Sequence, residues 1–376
     1  MDIHRSRRST GRPAYLLVDD AERVVVRPTN FLNSLARAPR NRSRKTLDLY
    51  AHRIVVLCRF LEDHPVYGQI PVDEALTVMG LPLIDEFYRE CQARGLGASS
   101  VRGHEVVVKL LLTWLTSEEA GRAREAPLYS TARTPTPLKR VPRYMVVPEV
   151  TVLLKGMHWE MQRLVTHFIF DTGLRVSEVP RVLQSDLPNV EHYDASQMYF
   201  PLLVRGSKGR GGETKERYTI ISRPMLMRVR RYHSSRTYFT NHDWPASRKP
   251  AFLNTYGDAL LESAIQSFID DAKRRTGLLN ASPHRLRHGT AYSVLRSEHG
   301  KTLLDNLLIL QRVLGHSDIS TTEIYTHIPA PVLQRMTTTH GAADNRFRFE
   351  EAQKLFDETF LPEKKQRPVR RIGVQQ

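Results

Sequence analysis

Apolar positions recur at helical spacing over much of the chain. Leu47, Tyr50, Ile54, Leu57 and Leu61 return every three or four residues, which puts them on one face of a helix. Ile84, Phe87, Tyr88 and Cys91 repeat the pattern. After the break at Gly95-Leu96-Gly97, Ser99 or Ser100 is placed to cap a third helix, whose buried face is Val107, Leu110, Leu111 and Trp114. These stripes predict a helical domain over 41–118. The preceding stretch, 1–40, is rich in arginine, and it is predicted to be a flexible basic arm with one short strand at 23–27. The following stretch, 119–145, holds Thr-Pro-Thr-Pro and several basic residues without periodicity, so it reads as a linker.

A second run of elements begins at Pro148-Glu149, a pair suited to a first helical turn. Met161, Leu164, Val165, Phe168 and Ile169 form a stripe that runs into Asp171-Thr172-Gly173-Leu174-Arg175. Residues 198–204 and 217–221 alternate as strands and bracket Arg205-Gly206-Ser207-Lys208-Gly209-Arg210-Gly211-Gly212, a hairpin with a glycine tip. Its glycines lack the spacing of a nucleotide-binding loop. Helices are expected around 225–233 and 260–276, and over the stripe Leu304, Leu307, Leu308, Gln311 and Leu314, which Gly315 ends. Two more follow at 329–339 and 346–360, the last with Phe349, Ala352, Leu355, Phe356 and Phe360 on one face. The fold class is therefore mainly α with a small antiparallel β-sheet.

Charge adds a partner class. Lys and Arg number 56 against 40 Asp and Glu, a formal charge of +16. Such an excess suits binding to phosphate backbones, although charge alone also describes a basic protein kept soluble by repulsion. The two cysteines, Cys58 and Cys91, fall inside apolar helical patterns and read as buried thiols rather than a disulfide. The basic N-terminus lacks an apolar core of signal-peptide length. The longest apolar run, 106–115, is interrupted by Lys109 and Thr113 and is too short to span a membrane. The expected setting is cytoplasmic, in association with a bacterial nucleoid.

Candidate chemistry gathers in the C-terminal half. Pro283-His284-Arg285-Leu286-Arg287-His288 is followed by Leu314-Gly315-His316-Ser317, then by Ile324-Tyr325-Thr326-His327. Arg175 lies upstream, with Glu178 one turn on to hold it. Attack on a phosphodiester builds negative charge on the non-bridging oxygens, and planar, permanently charged guanidinium groups suit that charge best. Preorganised donors of this kind usually supply the largest single catalytic contribution. A phenol has an ordinary pKa of about 10, so a cationic pocket assists Tyr325 in losing its proton. His284 and His288 have zinc-like spacing, but the glutamate of H-E-x-x-H is missing and Arg287 would repel a cation. No metal site and no cofactor are expected.

In this ordered set the stretch 146–340 resembles the catalytic domain of the tyrosine recombinase (phage integrase) family. The resemblance implies that Arg175, Lys208, His284, Arg287, His316 and Tyr325 are catalytic, with Tyr325 the nucleophile and Lys208 the proton donor to the departing 5′ oxygen. Lys215 is a rival for the last role, because the family's hairpin is usually shorter. Residues 41–118 match the position of the family's helical core-binding domain, where Arg42, Arg44, Lys45 and Arg102 are candidate phosphate contacts or else solvated charges. The implied function is site-specific DNA recombination or integration through a 3′-phosphotyrosine, for a mobile element. The implied partners are double-stranded DNA, three further copies of the chain in a homotetramer on two DNA sites, and accessory DNA-bending or sister recombinase proteins. Two alternatives stand beside it: a type IB topoisomerase-like relaxing enzyme, and a non-catalytic DNA-binding regulator. The apolar face in the tail, 341–376, is expected by the same resemblance to dock on a neighbouring protomer; folding back on its own domain is the alternative.

Overall fold

The computed structural model describes residues 1–7, 13–38, 42–137, 143–208, 214–239, 244–296, 314 and 347–362. Its contacts divide into a first unit over Met1–Lys139 and a second over Arg140–Lys208 and Thr214–Gln376.

The first unit opens with a hairpin. Strand β1 (Asp2–Arg7) pairs antiparallel with β2 (Pro13–Val18), Asp2 opposite Val18. Helix α1 (Val26–Arg37) follows, with Phe31 and Leu32 fully buried. The expected irregular arm is thus largely a hairpin and a helix. Tyr15 and Leu17 alternate into the core while His4 and Arg5 face solvent, so the exposed basic residues hid a two-residue period. Ser43 caps α2 (Arg44–Asp63) by accepting from the Thr46 N–H at 3.2 Å. Helix α3 (Val72–Val78) carries Asp73, whose carboxylate accepts from the orphan N–H groups of Val26 and Arg27 at 2.8 and 2.7 Å. Helices α4 (Leu81–Ala93) and α5 (Ala98–Leu115) complete the core with Phe87, Val107 and Leu111. The residue flanking α5 is Gly97, not Ser99 or Ser100, and it offers no side-chain cap. Cys58 and Cys91 are buried free thiols.

Residues 119–134 of the expected linker 119–145 lie against this unit. Arg124 donates to the carbonyls of Leu76, Thr77 and Met79 at 3.2, 2.7 and 3.1 Å, closing the C-terminal end of α3. The buried Glu105 accepts from the backbone of Arg133 and Thr134 at 2.6 and 3.1 Å. Burial would raise its carboxyl pKa, but the hydrogen bonds from Thr134 and Arg133 hold it below the usual value. The strap escaped sequence reading because its partners are single polar atoms, which leave no period.

The second unit is built from α6 (Val147–Lys155), α7 (Glu160–Thr172), strands β3 (Tyr199–Lys208) and β4 (Thr214–Ser222), α8 (Arg223–His233), the short α9 (Arg236–Phe239), α10 (Glu262–Thr276), α11 (Pro283–Arg296) and α12 (Phe347–Thr359). Leu164, Phe168, Phe200, Val229 and Ile269 anchor one core. Helix α12 packs on α6, α7 and α8 of its own chain. Leu355 joins the core, and the buried Arg228 reaches Glu160 through two bonds of 2.7 and 3.0 Å and Thr359 Oγ1 at 2.9 Å. Of the face expected to dock on a neighbour, Ala352 and Leu355 are buried against their own chain, while Phe349, Phe356 and Phe360 stay half-exposed. Among the described residues, no helix is long and apolar enough to cross a membrane.

Candidate active site

The site forms where α7 ends. Gly173 takes the left-handed conformation at φ 66°, and its N–H returns to the Ile169 carbonyl at 3.0 Å. A side chain there would be strained, and its Cβ would stand 3.2 Å from both Leu314 and Thr290. The turn is held from several directions. Thr219 donates to the Thr172 carbonyl at 2.9 Å, Arg348 to the Asp171 carbonyl at 2.5 Å, and Arg287 to the Gly173 carbonyl at 2.5 Å. Buried Leu174 then points inward, so Arg175 emerges at a fixed place with 30% of its side chain exposed.

Glu178 orients Arg175. Its Oε2 accepts from the Arg175 N–H at 2.8 Å and its Oε1 from Arg175 Nη1 at 3.0 Å. Oε2 also accepts from Arg217 Nη2 at 3.0 Å, so one buried carboxylate lies between two guanidinium groups. Burial lowers the Arg217 pKa and Glu178 opposes that shift. In the sequence, Arg217 is only a charge at the start of a strand-like run.

Arg287 and His284 come from α11, three residues apart and so on neighbouring positions of one face. Arg287 is buried, and its Nη2 donates to the Leu314 carbonyl at 2.5 Å. It thereby ties the Gly173 turn to the segment that precedes His316. His284 stays largely at the surface; partial burial, then Arg287 and Arg175, lower its pKa. A neutral imidazole there can donate one hydrogen bond without adding charge. Its ring meets His288 edge-on at 4.2 Å.

The remaining catalytic candidates are Lys208, His316 and Tyr325. Lys208 ends β3 opposite Thr214, and Ser207 is opposite Lys215, after a register shift beyond Val204. Gly206 at φ 85° and the bond from Arg181 to its carbonyl at 3.3 Å mark that bulge. His316 and Tyr325 lie outside the described residues. Tyr292, the next tyrosine to consider as nucleophile, stacks on Tyr144 at 4.2 Å. Of the candidate phosphate contacts, Arg44 stands 3.9 Å from Asp48, and Arg102 donates to Glu105 at 2.8 Å and to the Thr134 carbonyl at 3.3 Å. Arg42 is half-buried and Lys45 exposed. All four belong to the first unit.

Residues 149–330 match the phage integrase family. The chain is similar to tyrosine recombinase XerD of Mycobacterium tuberculosis (strain ATCC 25618 / H37Rv), 28% identical over 219 residues that cover 54% of this chain and 62% of the relative. The chain thus spans less than two thirds of that relative's length. Tyrosine recombinase XerA of Pyrococcus furiosus is 26% identical over 307 residues, 81% of this chain and 91% of the relative. Among solved structures, XerH site-specific recombinase bound to palindromic difH substrate superposes with a TM-score of 0.57 at 16% identity, over 78% of this chain and 79% of that one. The Tn1549 transposon integrase in complex with circular intermediate DNA gives 0.56 at 15%, over 83% and 98%. At such identities the structural likeness establishes the fold.

Proposed function

From the phage integrase family domain that residues 149–330 carry, we propose that this protein is a site-specific DNA recombinase that cuts and rejoins strands through a 3′-phosphotyrosine. The observation that carries the reading is the gathering of Arg175, Arg287 and His284 about one turn. There Glu178 orients the first arginine, and the carbonyls of Gly173 and Leu314 hold the second. A scissile phosphate seated on these groups places its non-bridging oxygens on preorganised donors, where transition-state charge is stabilised without reorganisation. The Tyr325 hydroxyl gives up its proton to solvent as its oxygen attacks phosphorus, the bond to the 5′ oxygen breaks, and that oxygen takes a proton from Lys208. The phosphotyrosine keeps the energy of the broken bond, so a second strand's 5′ hydroxyl reverses the step without ATP. The substrate is duplex DNA, as the solved relatives with difH substrate and circular intermediate DNA support. Four copies of the chain act on two sites, because each copy cuts one of four strands. The element it serves is a mobile one.

The test begins with protection mapping on DNA flanking the gene, which locates a site. On a nicked duplex built on that site, the wild-type chain forms a covalent adduct, and it does so in EDTA. Tyr325→Phe forms none while binding with unchanged affinity, since it loses one oxygen and no charge. An adduct from the Phe variant would move the nucleophile elsewhere. A strict need for a divalent ion in cleavage would overturn the role given to the arginines.

A further inference from the structure

Arg175 and Glu178 alone make a poor clamp. A pair three residues apart, with its arginine 30% exposed, leaves a long side chain free to change rotamer and is worth little by itself. The pair is also neutral in sum, so its pull on a phosphate is weak. Both problems change at β4. Arg217, opposite Val204 in the last regular register before the hairpin bulge, brings a second guanidinium to the same carboxylate at 3.0 Å. The side chains of Arg217 and Glu178 are 9% and 1% exposed, so the shared contact is shielded from water. The carboxylate is then fixed by donors from two elements, and the trio of charges sums to +1.

We infer that Arg217 is a positioning residue for the phosphate clamp: by holding Glu178 from β4, it fixes the Arg175 guanidinium and keeps the pocket cationic. This rests on the reading of the site as a phosphodiester-cleaving centre. A buried ion cluster gives little net stability compared with apolar side chains of similar size, which leaves Arg217 without a sufficient role in packing. Its strand is also the one that leads out of the hairpin bearing Lys208, so the bond links the expected proton donor's hairpin to the arginine turn. Arg181 on the Gly206 carbonyl and Arg205 on Asp186, at 3.3 and 2.7 Å, steady the base of that hairpin on the other strand.

The experiment compares adduct formation by the wild-type chain, Arg217→Met and Arg217→Lys on the nicked duplex, with thermal melting and DNA affinity measured alongside. A misplacement of about 1 Å at a reacting centre can cost on the order of 100-fold, and a loss of that size is expected for Arg217→Met. Arg217→Lys, which keeps the charge but only a point donor, should recover part of the rate. A second substrate carries a methylphosphonate at the scissile position, where one charged oxygen is replaced by a methyl group. With less charge to stabilise, the Arg217→Met defect should shrink on the same stereoisomer that relieves Arg175→Ala. The double variant of Arg217→Met with Arg175→Ala should be slower than Arg175→Ala by far less than the loss Arg217→Met causes in the wild-type chain. A wild-type rate for Arg217→Met, or equal defects on both substrates, overturns the inference while leaving the cleavage reading intact. Absence of an adduct from the wild-type chain overturns the cleavage reading, and this inference falls with it.

Discussion

His104 in the first unit is buried and His233 in the second is half-buried, and burial is the main cause that lowers the pKa of each to about 4. For His104 the charges of Arg53 and His52 add to the effect. For His233 a bond to the Ala251 carbonyl at 2.9 Å opposes it and Lys249 reinforces it. The unfolded chain protonates its histidines near pH 6.5, so between about 6.5 and 4 it binds more protons than the folded chain. Stability therefore rises with pH across that window and is lost as pH falls through it. Melting temperatures measured from pH 7 to 5 should fall for both units, and His104→Leu should flatten the slope of the first. An unchanged slope would show that His104 does not titrate as its surroundings require. The same dependence on surroundings separates Glu178 from Arg217. The bond from Glu178 to Arg175 was legible as a three-residue spacing, whereas Arg217 comes from 39 positions away.

Elements were easier to read than their partners. Among the described residues the helical stripes and the antiparallel hairpin followed from their periods, because a period records which face is buried; the stripes expected at 304–314 and 329–339 lie outside the described residues. What covers that face is another matter, and α12 is the clearest case. Its apolar side lies on α6, α7 and α8 of its own chain, with Ala352, Leu355 and Thr359 buried and Arg348 donating to the Asp171 carbonyl. Deleting residues 347–376 would expose that core and remove the Thr359 partner of the fully buried Arg228. Loss of one buried leucine alone costs about 2–5 kcal/mol. The truncated chain should therefore melt on the order of 10 °C lower or aggregate. A truncation that stays monomeric and melts with the full chain would return α12 to the neighbour-docking role.

At the scale of the whole molecule, the two units carry separate hydrophobic cores. The first closes only when the strap is counted. Tyr129 meets Tyr88 through their hydroxyls at 2.6 Å, Arg133 donates to Asp85 at 2.6 Å, and Leu128 packs against the core. A fragment of residues 1–139 should fold by itself with a cooperative melt. A fragment ending at 118, where the helical pattern stops, loses these contacts and leaves the Glu105 carboxylate buried without its strap donors. A buried acceptor stripped of its partners costs about 1–3 kcal/mol, so the shorter fragment should melt several degrees lower. Equal melting of the two would make the strap a simple tether.

The sequence by itself determined the helical character of both units, the central hairpin, the burial of the two cysteines and the order of Arg175, His284 and Arg287. The first three are written in local periods, the last in the order of residue types along the chain. Tertiary structure alone decided that the basic N-terminal stretch is a hairpin and a helix, that 119–134 is a strap, that α12 folds back, and that Arg217 shares Glu178. Those outcomes rest on pairings such as Arg348 with Asp171, 177 positions apart. Composition and periodicity constrain which face of an element leaves water. They carry no term for which distant donor or acceptor will meet it, because that choice is made only when the cores close.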